Sequence, residues 1–192
     1  MTILILAEHD NKELKTVTLN CVTAAQEIGG DIDVLICGAQ CDDVAQQASK
    51  INGVRQVLLA DHDAYRYQLA ENVSQLMFEI ASDYDYVLAP ATTTGKNILP
   101  RVAALLDVSQ ISEITAVISQ DTFERPIYAG NAIATVQSID SKKVITVRTT
   151  AFDPATLNND VDVVRLTHYH EAQKSRFVSQ DKTESDRIEL TS

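Results

Sequence analysis

Short apolar runs constrain the fold of this sequence more than any other feature. Each run is dominated by Val, Ile and Leu and does not alternate with polar residues. Near-continuous apolar runs are typical of strands that are covered on both faces, as in a parallel β-sheet. We therefore predict five buried parallel strands. They cover residues 3–7, 33–37, 57–60, 86–90 and 144–148.

Segments with helical spacing separate these runs. Apolar residues recur at i, i+4, i+7 and i+8 from Leu69 to Ile80, and again within 98–106, as one buried helix face requires. Weaker helices, rich in Ala and Val, are predicted over 16–28 and 42–51, and Gly29-Gly30 suits the end of the first. The alternation predicts right-handed βαβ units in an α/β fold with a doubly wound, mainly parallel, Rossmann-like sheet.

The second half of the chain departs from this alternation. Residues 112–138 lack helical spacing, and we predict an antiparallel insertion at one edge of the sheet. Its strands are predicted over 114–119, 123–128 and 132–139. Two late strands are predicted over 161–169 and 175–179, and 180–192 reads as a linker. We therefore expect one domain over 1–179, with Ile188 and Leu190 resembling the start of a further strand.

Composition excludes several classes of protein. Sixteen Lys and Arg against 27 Asp and Glu give a formal charge of −11 over 192 residues, which argues against nucleic acid or an anionic membrane as the main partner. No apolar run approaches the ~20 residues that span a bilayer. The opening run has no basic segment before it and no cleavage site after it, so we expect no signal or transit peptide and a cytoplasmic location. Because we expect no export signal, we also expect the three cysteines to be reduced thiols.

The usual nucleotide-binding motifs are incomplete. The turn after the first strand, residues 8–13, contains no glycine and three carboxylates, so a pyrophosphate would be repelled there. Gly95-Lys96 suggests a P-loop, but the first glycine of that motif falls at Pro90 and its magnesium-binding hydroxyl at Asn97. We expect neither a dinucleotide site nor a P-loop.

Two segments remain as candidate contact sites. The three threonines at 92–94, followed by Lys96, either cap a helix or bind an anion or partner. Residues 125–132, with Gly130-Asn131 at a tight turn, form either a plain hairpin or a docking loop. The candidate contacts to a partner or anion are Thr93, Thr94, Lys96, Asn97, Arg101, Arg125 and Asn131.

No residue is assigned to catalysis, cofactor binding or metal binding. His168 and His170 share one strand face, but spacing marks no further zinc ligands, and a solvent-facing pair is the simpler interpretation. Cys37 and Cys41 have neither redox nor zinc spacing and suit buried thiols. With no nucleophile motif either, the residues favour a scaffold or docking domain over a catalyst.

Several longer segments resemble the α subunit of electron-transfer flavoprotein. The resemblance is most specific at residues 94–104 and 110–114. It extends to 5–9, 123–132 and 147–153, so it covers most of residues 1–153.

The resemblance implies an electron carrier rather than an enzyme. Proteins of this family accept electrons from dehydrogenases, notably the acyl-CoA dehydrogenases of fatty-acid oxidation, and pass them to a membrane quinone oxidoreductase. The N-terminal domain of the α subunit has a fold like the adenine-nucleotide α-hydrolases and packs against the β subunit, whereas the C-terminal domain holds most FAD contacts. The family has FAD-binding segments beyond the position of Leu190, and we therefore expect this chain to be an N-terminal fragment without them. We expect FAD in the intact heterodimer and none on this chain alone.

Three alternatives stay open. A stand-alone nucleotide-binding module of the universal-stress type would have a similar fold, although its glycine-rich phosphate loop is missing. An enzyme could use the threonine-lysine loop on a phosphorylated substrate, although no partnered base is evident. Within the family, spacing does not separate a housekeeping subunit from one specialised for electron bifurcation.

Overall fold

A seven-stranded sheet forms the centre of the molecule, for which a computed structural model describes residues 1–181. In chain order the strands are β1 Thr2–Leu6, β2 Asp31–Gly38, β3 Val54–Asp61, β4 Tyr86–Pro90, β5 Gln110–Ile114, β6 Ala116–Val117, β7 Thr122–Ile127, β8 Ala132–Gln137, β9 Lys143–Val147 and β10 Val163–Arg165. The large sheet has the order β10-β3-β2-β1-β4-β9-β5, and every neighbouring pair in it is parallel.

Among residues 1–181, four α-helices cover the sheet on both faces. They are α1 Thr16–Ile28, α2 Asp42–Ala48, α3 Ala70–Ile80 and α4 Thr93–Leu106. Side chains of β1 alternate between two cores, with Ile3 and Ile5 packed with α1 and α2 and Leu4 and Leu6 packed with α3 and α4. Burial on both faces explains why the strand sequences are apolar throughout. The predicted doubly wound α/β fold and its five parallel strands are confirmed.

Helix boundaries follow local chemistry. Gly29 ends α1 at a φ of 86°, a conformation that favours glycine, as predicted. Helix α4 begins at Thr93, ahead of the apolar spacing at 98–106 and directly after one of the threonines considered as a cap. The Thr92 hydroxyl accepts a hydrogen bond from the Gly95 amide and caps the helix. A Cβ on Gly95 would lie 2.0 Å from the Pro90 carbonyl oxygen, so glycine lets α4 start close against β4.

The antiparallel insertion is present as a separate small sheet of order β6-β7-β8. Phe123 of β7 is fully buried in the core that also contains α1. The predicted strand 114–119 is confirmed only over its middle, where β6 Ala116–Val117 pairs antiparallel with β7. Its start is wrong, because Ile114 ends β5 of the parallel sheet, whereas the Thr115 amide already donates to Glu124 of β7. Glu113, at a φ of 56°, lies just before this change of partner.

The late strands differ from prediction. Only β10 forms within 161–169, and it pairs parallel with β3. The predicted strand 175–179 is wrong, because these residues have no neighbouring strand; Ser175 bonds to Glu71 of α3, and Phe177 stacks on Tyr67 in the turn before α3. The predicted linker 180–192, apart from its first two residues, and the predicted strand start at Ile188 lie outside the described residues. Within residues 1–181, no helix is long and apolar enough to cross a membrane.

Residues 166–177 form what we call the C-terminal strap. The amide of His170 donates to the Tyr65 hydroxyl at 2.9 Å, and the amide of Ala172 donates to the Asn72 side-chain oxygen at 2.9 Å. These bonds satisfy backbone groups that a strand would pair with a neighbour. The strap is therefore irregular in backbone but anchored to α3 and the turn before it.

Candidate functional site

The order of the large sheet reverses between β1 and β4. In open α/β sheets, ligands bind outside the carboxyl ends of the strands at such a switch point. Here the loops that follow β1 and β4 are joined directly, because the Thr92 hydroxyl donates a hydrogen bond to the Glu8 carboxylate. Burial raises the pKa of Glu8 above its ordinary value, although the bond from Thr92 opposes this.

The buried ring of His9 and the partly buried side chains of Asn11 and Gln68 occupy the rest of this crevice. Nδ1 of His9 accepts from the Asn11 amide at 3.1 Å, and the Gln68 side-chain amide donates to the His9 carbonyl oxygen at 3.2 Å. The Asn11 side chain accepts from the Ala39 amide at 3.0 Å and donates to the Arg66 carbonyl at 3.0 Å. We call Glu8, His9, Asn11, Gln68 and Thr92 the switch-point plug.

The plug is closely packed. A Cβ on Gly38, at the end of β2, would lie 2.2 Å from the Asn11 side-chain oxygen and 2.8 Å from the His9 ring. Burial lowers the pKa of His9 to about 4, so the ring is neutral at physiological pH and supplies no positive charge for an anion. The arrangement leaves a carboxylate and a neutral imidazole where phosphate-binding folds present backbone amides.

The sequence-predicted contact residues fall into separate groups. Thr93, Thr94 and Asn97 line a shallow pocket of about 270 Å³ together with Tyr67 and Gln68, beside the plug. It is Thr92 that caps α4, which leaves the hydroxyls of the next two threonines on the pocket surface.

Three predicted cations have different surroundings. Arg101 pairs with Glu71 at 3.1 Å and so joins α4 to α3. Lys96 pairs with Glu113 of β5. Nε of Arg125 donates to the Ser112 carbonyl oxygen at 2.8 Å. Arg101 therefore lies apart from Lys96 and Arg125.

The predicted residue Asn131 marks the tip of the β7–β8 hairpin. It follows the short turn Tyr128–Gly130, and it is exposed. Its amide donates to the Tyr128 carbonyl at 3.1 Å, which closes the turn. The hairpin interpretation of 125–132 is confirmed by the antiparallel pairing of β7 and β8, and its docking role stays a prediction.

Sequence reasoning did not select Glu113 and Arg148. Glu113 lies between Lys96 and Arg148, whose Nη2 is 3.2 Å from its carboxylate. The bond from Lys96 lowers the pKa of Glu113 below its ordinary value, against the opposing effect of burial. Only the positions of these two residues in the sequence could have indicated them. Arg148 directly follows β9 and Glu113 lies at the end of β5, and the carboxyl ends of neighbouring parallel strands lie at the same edge of the sheet.

Histidines and cysteines form no metal centre in the described part of the chain, where no three potential ligands cluster. The solvent-facing interpretation of the histidine pair holds for His168, which is exposed, but not for His170, which is partly buried with its Nε2 2.6 Å from the Glu79 carboxylate on α3. Cys37 and Cys41 are buried and unpaired as disulfides, as predicted. Burial raises the pKa of the Cys41 thiol to about 12, so neither redox nor metal chemistry is favoured there.

Fold and site together define a class: a doubly wound α/β domain whose switch point is occupied by its own side chains. The family model of the "Electron transfer flavoprotein domain" matches residues 3–171 of the chain. The chain therefore belongs to the electron transfer flavoprotein family. The expected resemblance to the α subunit is confirmed by the relatives.

Three relatives carry the subunit name. The chain is 57% identical over 192 residues to the electron transfer flavoprotein subunit alpha of Pseudomonas aeruginosa, which covers all of this chain and 62% of that protein. It is 44% identical to the mitochondrial subunit alpha of Dictyostelium discoideum, covering all of this chain and 59% of the relative. It is also 44% identical to the subunit alpha of Paracoccus denitrificans, covering all of this chain and 62% of the relative. The chain thus spans about 60% of these relatives' length.

Proposed function

We propose that this chain acts as the scaffold part of an electron transfer flavoprotein alpha subunit. In this role residues 1–179 form the α/β domain and 180–192 a linker toward a FAD-binding domain. The domain packs against the beta subunit and supports FAD-mediated electron transfer from acyl-CoA and other dehydrogenases to the quinone oxidoreductase. It is not itself an enzyme, and it holds no FAD alone. The cytoplasmic location stays a prediction.

The switch-point plug is the observation that carries this proposal. A flavin protein must bind and orient the cofactor, which does the redox chemistry itself. Dinucleotides are held in doubly wound folds by backbone amides at the first strand–helix turn. In this chain that turn presents Glu8, which is bonded to Thr92, and no glycine. The family is one of flavoproteins, but this crevice lacks the backbone amides that would hold a dinucleotide. A flavin that is held by another domain accounts for both observations.

The exposed edge of β8 supports a protein partner. Within the described residues β8 pairs only with β7, which leaves one row of its backbone groups unpaired. The strand carries no charge, and Ile133 is 56% exposed. Such an edge readily accepts a further strand. We propose it as part of the surface that the beta subunit covers.

A flavin titration tests the proposal. FAD is added to the purified chain and followed by absorbance and fluorescence, and we expect no stoichiometric binding at micromolar concentrations. Co-expression with the beta subunit of a close relative should give a complex that elutes together in gel filtration. Tight, equimolar FAD binding to the chain alone would refute the scaffold role. ATP titrated by calorimetry serves as the second arm, because ATP binding would favour the universal-stress alternative.

A further inference from the structure

Positive charge collects at one edge of a strongly acidic chain. Lys96, Arg125 and Arg148, which we call the basic cluster, lie around a single carboxylate, Glu113. The whole chain carries a formal charge of −11. Three cations with one anion, in a chain of that charge, form a local field of the opposite sign.

The guanidinium of Arg125 keeps N–H donors available for a ligand. Its Nε donates to the Ser112 carbonyl oxygen at 2.8 Å, which fixes the plane of the guanidinium. Within residues 1–181 no carboxylate forms an ion pair with it, whereas Arg148 shares Glu113 with Lys96. A guanidinium presents five donors, so one backbone bond leaves a bidentate edge available.

The surface between the two arginines is concave. A depression of about 440 Å³ is lined by Glu113, Arg148 and residues 125–130. Its rim holds Tyr128, which is 80% exposed, and Tyr128 and Ala129 have φ values of 50° and 54°. Two successive non-glycine residues in this region store strain, which in proteins concentrates at ligand-binding and switch segments.

We propose that this depression docks an acidic segment of a protein partner. One carboxylate of the segment pairs with Arg125 and another with the outer edge of Arg148, while Glu113 holds Arg148 and Lys96 in place. The Tyr128 ring packs against the segment, a role that suits an exposed aromatic at an interface. The inference deepens the scaffold role and rests on it for the protein nature of the partner.

A peptide titration measures this docking. The probe is an acetylated octapeptide of alternating Glu and Ser, titrated into the full chain at low salt and followed by calorimetry and by NMR of arginine side chains. We expect saturable binding that shifts the Nε–H signals of Arg125 and Arg148. The double variant Arg125→Gln, Arg148→Gln should weaken it at least about tenfold, because two charge-assisted bonds are lost.

Two controls make the result specific. Arg66→Gln removes another exposed cation, which pairs with Asp63 at 2.6 Å, and it should leave peptide affinity within about twofold. The single variant Arg125→Gln breaks one bond to a backbone carbonyl, and it carries the test if the double variant fails to fold. An unchanged affinity in that variant would overturn the proposal.

Two further outcomes would also overturn it. Inorganic phosphate that displaces the peptide at equal concentration would assign the depression to small anions. An oligo-lysine peptide that binds as well as the acidic one would remove the charge argument. The flavin titration is independent of both, so a failed docking test leaves the scaffold role standing, and flavin binding by the chain leaves the docking result standing.

Discussion

At the scale of single residues, a buried carboxylate contributes to the stability of the sheet away from the site. Asp33 of β2 accepts two bonds from Arg55, at 2.9 and 2.6 Å, one from Gln56 at 2.8 Å and one from the Tyr84 hydroxyl at 2.5 Å. Burial acts to raise the pKa of Asp33, but the bonds from Arg55, Tyr84 and Gln56 outweigh it and lower the pKa. The apolar run placed Asp33 in a strand, but its partners come from distant positions that periodicity does not connect.

Asp33→Asn should therefore destabilise the fold. The amide keeps the shape but removes the charge that Arg55 and Tyr84 are oriented toward, and we expect a loss of about 2–3 kcal/mol in the free energy of unfolding. Asp31→Asn is the matched control, because Asp31 pairs with the same Arg55 at 3.2 Å but is exposed. We expect less than about 0.5 kcal/mol there. Urea unfolding measures both, and equal losses would contradict the role of burial.

His9 makes the plug sensitive to acid. Its pKa is about 4 in the folded chain, because burial disfavours the charged ring, and about 6.5 when unfolded. A lowered histidine pKa adds stability that is complete above about 6.5 and is lost as the pH falls toward 4. Through this group, the free energy of unfolding should change by at most about 1.4 kcal/mol per pH unit.

The measurement compares variants over that pH range. His9→Gln should show a shallower fall in the free energy of unfolding between pH 6.5 and 4 than the unmodified chain. His168→Gln, at a half-exposed position on the strap, should keep the steep fall. Carboxylates common to all three proteins also titrate here, so the difference between curves is the test. Parallel curves for His9→Gln and the unmodified chain would show that the buried ring is not the cause.

At the scale of elements, predictability from sequence depends on burial of both faces. Strands β1 to β4 and β9 read as continuous apolar runs because helices cover both of their sides. Strand β5, at the sheet edge, carries polar side chains that are only partly buried, so Gln110–Ile114 gives no continuous run. The reverse error occurs at 175–179, where the apolar pair Phe177-Val178 resembles a strand, but no strand forms and Phe177 stacks on Tyr67 before α3.

Aromatic stacking holds the end of the strap. The ring of Phe177 stacks on Tyr67 with centroids 3.7 Å apart, and Tyr169 stacks on His62 at 3.5 Å. Phe177→Ala should release the end of the strap and speed amide hydrogen exchange over 170–177 by about tenfold, because one stacked pair is worth about 0.5–1.5 kcal/mol beyond its area. Val178→Ala is the control, since Val178 is 79% exposed. Equal effects of the two variants would mean that the stack does not anchor the strap.

At the scale of the whole molecule, the site depends on contacts that the sequence separates widely. Thr92 and Glu8 lie 84 positions apart, and Arg148 and Glu113 lie 35 apart. Sequence patterns located the loops at the ends of β1 and β4, because a parallel sheet brings its carboxyl ends to one edge. They could not show which loop closes on which, since that depends on strand order. The predicted contact residues consequently separate: Thr93, Thr94 and Asn97 lie beside the plug, Lys96 and Arg125 in the basic cluster, and Arg101 and Asn131 in neither.

The edge of β8 leads to a prediction about association. Its apolar, uncharged sequence lacks the Lys or Pro that usually protects an edge strand, so two copies can pair edge to edge when no partner covers it. We expect reversible dimers of the isolated chain at high concentration, detected by sedimentation and light scattering.

A charge placed on the edge of β8 distinguishes strand pairing from nonspecific hydrophobic association. Ile133→Lys should abolish the dimer, because each copy would then bring a lysine charge to the paired edge. Ile139→Lys adds the same charge at a residue that is 95% exposed and lies beyond the end of β8, so the dimer should persist. If the beta subunit covers the same edge, adding it should dissociate the dimer in favour of a heterodimer, and Ile133→Lys should weaken that heterodimer too. A chain that stays monomeric at all concentrations, or dimers that Ile133→Lys leaves intact, would remove β8 as an interface.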